Sequence, residues 1–181
     1  MMRVIFEKSL YIYFGILLLL LPFRLLAALI ISIAVHEMFH IAAIQIMEIH
    51  IYSVRVGIRG TYIETERMTA KQECISALAG PFGGLLLLLL FRWTPILSLI
   101  SAIHSLYNLL PIYPSDGGRA FCNFVRFAIQ GNAAEICIYA VEVIVLSFIT
   151  AISVFGMVYF HFGILPVVFA GTMILRWAER K

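Results

Sequence analysis

Two histidines stand four positions apart within an apolar stretch of the chain, in the segment His36-Glu37-Met38-Phe39-His40. In an α-helix, side chains at positions i and i+4 lie on one face about one turn apart, so both imidazoles can reach a single zinc ion. Glu37, beside the first histidine, can take a proton from a water molecule on the metal and later donate it to a leaving group. The pattern predicts a hydrolytic zinc site in which His36 and His40 are ligands and Glu37 is the catalytic acid/base.

The same three side chains have a structural interpretation, in which two histidines and a buried acid form hydrogen bonds between helices. This interpretation weakens if the segment spans a membrane, because each ionisable group in a lipid-spanning helix costs about 2.5 kcal/mol or more on insertion scales. A bound cation would offset that cost. We therefore favour the zinc site.

A catalytic zinc needs a third protein ligand and an open position for water. The candidate is Asp116, the only aspartate in the chain. Pro111 and Pro114 precede it and end a helix, which leaves an unwound stretch of the kind that membranes tolerate where it is buried or lines a wet cavity. Gly117 and Gly118 follow and allow close approach of the backbone. The alternative, that Asp116 merely begins a cytoplasmic turn, stays open on these residues alone.

The composition indicates where these side chains must lie. Of the 181 residues, 62% are hydrophobic and 13% are charged, whereas an average soluble domain has about 45–50% apolar and about 25% charged residues. These values exclude a soluble globule, an intrinsically disordered chain and a disulfide-stapled scaffold. The net charge of +3 comes without a basic cluster interleaved with aromatic residues, so no nucleic-acid partner is expected. The sequence predicts an integral membrane protein in contact with the lipid bilayer.

About six transmembrane helices are predicted, because a bilayer core needs about 20 apolar residues per helix. The first apolar run is too long for one span, and Pro22-Phe23-Arg24 divides it. Gly131-Asn132 and Phe155-Gly156 mark later breaks. The N-terminal run extends beyond the length of a signal-peptide core, so we expect it to be retained. The predicted spans cover residues 10–22, 25–47, 75–91, 95–113, 135–154 and 158–176.

Two shorter elements are predicted between the spans. Residues 52–59 alternate apolar and polar side chains, which is typical of a strand, and Arg59-Gly60 can turn this strand into a hairpin with residues 61–65. Residues 119–130 have the pattern of an amphipathic helix at the membrane surface. The predicted fold class is an all-α polytopic membrane protein with a short β-hairpin after the second span. We expect a single domain over residues 1–181, with a core at 25–125 and extra C-terminal spans at 135–176.

The basic residues predict the orientation of the chain. Six spans place both termini on one side of the membrane, and all of the 13 basic residues except Arg24 and Arg92 fall on that side. Because Lys and Arg are enriched on the cytoplasmic side, we expect a multi-pass protein of the cell membrane with both termini in the cytoplasm. This topology places His36, His40 and Asp116 toward the cytoplasmic ends of their spans, at depths that suit one metal site.

The chemistry-bearing segments resemble those of a known family. HEMFH at residues 36–40 and NLLPIYPSDGGR at residues 108–119 look like the paired motifs of the site-2 protease family of intramembrane zinc metalloproteases. Ala79-Gly80-Pro81 also matches a motif of that family, and the resemblance covers roughly residues 25–125. Within the family, the chain is most similar to the compact branch that contains the stage IV sporulation factor, which processes a pro-sigma factor.

The resemblance implies one Zn²⁺ per chain, with Glu37 as the catalytic acid/base. The implied ligands are His36, His40 and Asp116. Asn108 and Pro111 match family positions and would border the substrate cleft. Ser115 is a departure, because the family usually has an apolar residue before Asp-Gly, and it puts the packing of the ligand in question.

The implied reaction is hydrolysis of a peptide bond within or near the transmembrane segment of a membrane-associated protein. Substrates of this kind are regulatory proteins, such as a tethered transcription factor or a pro-sigma factor, and an inhibitory membrane partner is left open. Because a substrate must unwind into an extended form, we expect residues 52–58 to offer it a strand edge. Two alternatives stay open, a catalytically inactive relative that binds membrane partners and a metal or ion transporter.

Two further polar residues lie within predicted spans. His104 is one helical turn before Asn108 and either shares its face toward the cleft or packs as a hydrogen-bonded histidine. Glu142 lies in the middle of a span, where the cost of an acid makes it a candidate functional residue. For Glu142, a cleft-lining role and an interhelical hydrogen bond are equally compatible with the sequence.

Overall fold

The computed structural model describes residues 3–57, 60–161 and 163–179. The described chain is mainly helical and contains one small sheet. It forms two compact units, residues 1–107 and residues 108–181. The prediction of a mainly helical protein is confirmed, whereas the prediction of a single domain stays a prediction.

The helices of the first unit begin and end close to sequence signals. The chain breaks at Leu21 and Pro22, within one residue of the predicted break. The third helix begins five residues before the predicted span, because Thr69 and Gln72 form a capping box at its start. The helices are α1 (Lys8–Leu20), α2 (Phe23–Ile46), α3 (Ala70–Leu86, followed by a 3-10 turn at Leu87–Leu90) and α4 (Pro95–Asn108, whose last residue belongs to the second unit).

The sheet of the first unit has three strands, β1 (Arg3–Phe6), β2 (Ile51–Gly57) and β3 (Gly60–Thr65). β2 pairs antiparallel with β3 and parallel with β1, so it lies in the centre of the sheet. The expectation that residues 52–58 offer a free strand edge is therefore wrong for the described part of that segment, because β1 occupies one side and β3 the other. The predicted turn includes Arg59, which lies outside the described residues together with Ile58.

The sheet packs on the end of α2 through a small apolar core. Its buried residues are Ile44, Ile49, Ile51 and Val54. Ile44 is in the last turn of α2, and the other three are in β2 or in the connection that leads to it. Because the removal of apolar surface from water is favourable, this core fixes the end of α2 that follows the two histidines.

The second unit consists of α5 (Asp116–Ala128), α6 (Asn132–Tyr159) and α7 (Leu165–Ala178). Gly131 is the N-cap of α6, and its φ of 71° favours glycine. The predicted break at Phe155-Gly156 is wrong, because α6 continues through it to Tyr159. The described helix ends at Tyr159 instead, and Gly163, which lies between α6 and α7, has a φ of 77°. α5 and α6 share a core of Cys122, Val125, Ala134 and Ile138.

Among the described residues, three helices are long and apolar enough to cross a membrane. They are Phe23–Ile46, Ala70–Leu90 (α3 with its 3-10 turn) and Asn132–Tyr159. α1, α4 and α7 have 13 or 14 residues each, fewer than the roughly 20 that a straight span requires. The prediction of six spans is not confirmed by these lengths and stays a prediction.

Candidate metal centre

His36 and His40 lie side by side on the buried face of α2. Their side chains are almost closed to solvent, with exposures of 3% for His36 and 5% for His40. The two Nε2 atoms are 3.1 Å apart, and the rings meet nearly edge to face, with centroids 4.7 Å apart. The helical spacing of i and i+4 therefore brings the two imidazoles together, as the sequence predicts.

The hydrogen bond of His40 fixes the tautomer of its ring. Nδ1 of His40 is 2.7 Å from the backbone carbonyl oxygen of Ser76 on α3. Since a carbonyl oxygen can only accept, Nδ1 carries the hydrogen and donates it. Nε2 of the neutral ring then presents a lone pair toward Nε2 of His36. A carbonyl partner on the far nitrogen is a common way of orienting a metal-ligating histidine.

This arrangement fits a zinc ion. Two nitrogen ligands of a tetrahedral zinc, each about 2.0–2.1 Å from the metal, are about 3.3 Å apart, close to the 3.1 Å between the two Nε2 atoms. Glu37, next to His36 on α2, is partly exposed. The first unit therefore contains two adjacent imidazole nitrogens that could bind a metal ion and, beside them, a partly exposed carboxylate.

Glycines on α3 allow the close packing that holds His40 in place. A Cβ at Gly80 would collide with the His40 imidazole, and a Cβ at Gly83 would collide with the ring of Phe39. Gly80 belongs to the Ala79-Gly80-Pro81 motif noted in the sequence. The His40 ring occupies the space that a side chain at position 80 would fill. The motif therefore contributes to the histidine site through packing.

His104 on α4 extends the polar cluster of the first unit. Its ring lies beside His36, with centroids 4.8 Å apart. Its Nδ1 is 3.3 Å from the hydroxyl oxygen of Ser32, which is itself fully buried on α2. The sequence left open whether His104 faces the cleft or packs by hydrogen bonding. In the structure it packs by hydrogen bonding and also contacts a predicted ligand.

The predicted third ligand belongs to the second unit. Asp116 is the first residue of α5 and is 9% exposed. The positive end of the helix dipole favours a carboxylate at this position. One carboxylate oxygen is 3.8 Å from a guanidinium nitrogen of Arg119, one turn further along α5. Asp116 is thus a largely buried anion at a helix start.

Ser115, the departure from the family pattern, caps this helix. Its hydroxyl oxygen accepts a hydrogen bond from the backbone N–H of Gly118 at 3.1 Å. The hydroxyl also lies 2.6 Å from the carbonyl oxygen of Leu110 and 2.7 Å from that of Ile112, so it donates its hydrogen back to the preceding segment. Ser115 thereby stabilises the start of the helix that carries Asp116.

Residues 109–115, which we name the unwound segment, connect α4 to α5. Both predicted cleft residues lie along this part of the chain: Asn108 ends α4, and Pro111 is in the unwound segment, and both are partly exposed. Gly117 and Gly118 pack against the backbone of Leu109 and of Ile112–Tyr113, where a Cβ would collide with main-chain atoms. The two glycines therefore permit α5 to start directly against the unwound segment.

A comparison with solved structures shows the fold. The chain is similar to "Site-2 Protease from Methanocaldococcus jannaschii", with a TM-score of 0.62 and 17% sequence identity, over 99% of this chain and 90% of that chain. The chain therefore has a site-2 protease fold, and together with its three long apolar helices this makes it a membrane protein. No family model matches the chain, and no curated protein matches it.

Substitution of Gly80 by alanine should weaken metal binding. The new methyl group would displace the His40 ring and break its hydrogen bond to Ser76, so we expect the affinity for Zn²⁺ or Co²⁺ to fall about 10-fold or more. The measurement is metal titration of the detergent-purified protein. Gly171→Ala on α7 is the matched control, because a Cβ there meets nothing within 4 Å. Equal affinities in the two variants would contradict the role of Gly80.

Substitution of Ser115 by alanine should loosen the start of α5. Loss of the cap is expected to lower the free energy of unfolding by about 1 kcal/mol and to speed hydrogen exchange at the Gly118 amide. Ser115→Thr keeps the hydroxyl and should retain most of the protection. The measurements are chemical denaturation in detergent and amide exchange read by mass spectrometry. The cap would be refuted if alanine and threonine gave the same exchange rate.

Proposed function

We propose that this chain is an intramembrane zinc metalloprotease that hydrolyses a peptide bond within or near the transmembrane segment of a membrane-associated protein. The observation that carries the proposal is the buried histidine pair. The Ser76 carbonyl fixes the tautomer of His40 so that its Nε2 faces that of His36 at 3.1 Å. The site-2 protease fold supports the same activity.

His36, His40 and Asp116 would hold one Zn²⁺ per chain. Two imidazole nitrogens and a carboxylate oxygen are a donor set that could bind a divalent cation, and three protein ligands with an open position are typical of catalytic zinc sites. When bound, the zinc would lower the pKa of a water molecule to about 7 and polarise the scissile carbonyl.

The side chains of the protein would supply the proton transfers and the orientation. Glu37 accepts the proton of the attacking water and delivers it to the leaving amine. The main-chain partner of His40 and the packing of its ring against Gly80 hold that ligand still during the reaction. Asn108 and Pro111 would border the cleft in which the extended substrate lies. An added substrate strand would pair with the outer edge of β1 or of β3, since both sides of β2 are already paired.

The substrate class and the topology are part of the proposal. We infer about six spans, a multi-pass location in the cell membrane and both termini in the cytoplasm, on the distribution of basic residues. Substrates would be membrane-associated regulatory proteins, such as tethered transcription factors or pro-sigma factors. An inhibitory membrane partner would be one way of controlling such an enzyme.

The amount of zinc per chain tests the site without a known substrate. We expect about one Zn²⁺ per wild-type chain, full retention in Glu37→Gln and clear loss in Asp116→Ala. Glu37→Gln should also abolish cleavage of quenched-fluorescent peptides that carry an apolar segment with a helix-breaking centre, because the amide cannot accept the proton. The measurements are elemental analysis of detergent-purified protein and fluorescence release.

Glu135→Ala is the matched control for Asp116→Ala, because Glu135 is an exposed acid of the same unit that forms an ion pair with Arg126. It should keep its zinc. Retention of zinc in Asp116→Ala would show that the third ligand is another residue. If the wild-type protein binds no zinc after supplementation, the result would favour an inactive relative. The same conclusion would follow if the wild type binds zinc but, like Glu37→Gln, cleaves none of the peptides.

A further inference from the structure

Glu142 is a buried acid in the middle of α6. It is 1% exposed and lies within a helix that is long and apolar enough to cross the membrane. An acidic side chain at such a position is costly, and where one occurs it pairs with another group of the protein. This cost implies that the hydrogen bonds of Glu142 stabilise a part of the structure that an apolar side chain could not hold in place.

The two carboxylate oxygens of Glu142 accept hydrogen bonds from two different parts of the second unit. Oε1 accepts from the backbone N–H of Tyr113 at 3.1 Å. Oε2 accepts from the indole Nε1–H of Trp177 on α7 at 2.9 Å. A single side chain therefore joins α6 to α7 and to the unwound segment.

The bond to Tyr113 acts close to Asp116. Tyr113 lies three residues before Asp116, in a stretch that is neither helix nor strand. Ser115 ties the unwound segment to itself and to α5, whereas Glu142 ties the same segment to α6. Backbone groups inside a membrane need a partner, and a carboxylate provides a strong acceptor for an N–H that no regular element engages.

We propose that Glu142 is a positioning residue for Asp116: by holding the Tyr113 backbone, it fixes the conformation of the unwound segment and so the direction in which α5 presents the Asp116 carboxylate. The inference rests on the proposed function, in which Asp116 is a metal ligand. It assigns α6 a part in metal binding through a residue that is not itself a predicted ligand. Of the two interpretations of Glu142 that the sequence left open, the inference favours the interhelical hydrogen bond over the cleft-lining role.

The alternative is that Glu142 merely fastens α7 through Trp177. The two roles predict different behaviour of glutamine at position 142. A carboxylate offers both oxygens to two donors, whereas an amide has one acceptor oxygen and an NH₂ group that opposes the second donor. Trp177→Phe removes the indole donor, so in the double variant the single amide oxygen can serve Tyr113.

The experiment compares five variants with the wild type: Glu142→Ala, Glu142→Gln, Trp177→Phe, Glu142→Gln with Trp177→Phe, and Leu146→Ala. Leu146 is buried one turn further along α6, so its truncation is the control for general loosening of that helix. The readouts are Co²⁺ affinity, the visible absorption spectrum of bound Co²⁺, which reports ligand geometry, and hydrogen exchange at residues 111–118 in the metal-free protein.

We expect Glu142→Ala to lower Co²⁺ affinity about 10-fold or more, to change the Co²⁺ spectrum and to speed exchange at the Tyr113 amide. Leu146→Ala should lower thermal stability but keep the affinity and the spectrum. Glu142→Gln should be intermediate, and addition of Trp177→Phe should restore affinity toward the wild-type value. Trp177→Phe alone should bind Co²⁺ as the wild type does.

Wild-type affinity and spectrum in Glu142→Ala, with metal lost in Asp116→Ala, would overturn the inference and leave the proposed function standing. Absence of metal from the wild type would overturn both, and exchange at residues 111–118 would then show whether Glu142 orders the segment for another purpose. If Glu142→Ala does not fold, the inference is tested by comparing Glu142→Gln alone with Glu142→Gln combined with Trp177→Phe. Restoration by Trp177→Phe supports the inference, and a further loss of affinity in the double variant rejects it.

Discussion

In the interior of a membrane protein, a buried polar group without a partner is costly, since the lipid supplies none. The hydrogen bond from Nδ1 of His40 to the Ser76 carbonyl is where this constraint has the largest consequence. It satisfies one nitrogen of the ring and sets the other as a lone pair toward His36. It also requires α2 and α3 to lie close together, which the missing side chain of Gly80 permits. The hydrogen bond of one imidazole thus requires close packing of α2 against α3.

The same constraint accounts for two serines of α4. The hydroxyl of Ser98 donates to the carbonyl oxygen of Leu87, and that of Ser101 donates to the carbonyl oxygen of Gly84. These carbonyls lie at the end of α3 and in its 3-10 turn, and the Gly84 carbonyl also accepts a hydrogen bond from the backbone N–H of Leu87. Serines spaced along one face of α4 therefore stabilise the end of α3 inside an apolar environment, and small side chains there keep the two helices close.

The sequence predicted the elements that depend on local pattern. The i and i+4 spacing placed His36 and His40 on one helix face, and the prolines predicted the unwound segment. Features that depend on distant partners were missed. β1 has four residues and exists through its pairing with β2, so no local periodicity marks it. Phe155-Gly156 did not break α6, because glycine is tolerated within membrane helices. Ser115 looked like a departure from a motif, yet it is a helix cap, which only the position of Gly118 reveals.

Glu142 links the C-terminal helices to the segment that leads into Asp116. The resemblance in sequence covers roughly residues 25–125, and α6 and α7 lie beyond it. One partner of Glu142 could not be identified from sequence, because it is a backbone N–H 29 positions away and carries no residue-type signal. A helix that were only a lipid-facing addition would gain nothing from a buried acid. Because the acid binds the segment that leads into Asp116, the proposed role of Glu142 extends the part of the chain that would act on the predicted ligand into α6, beyond the motifs seen in the sequence.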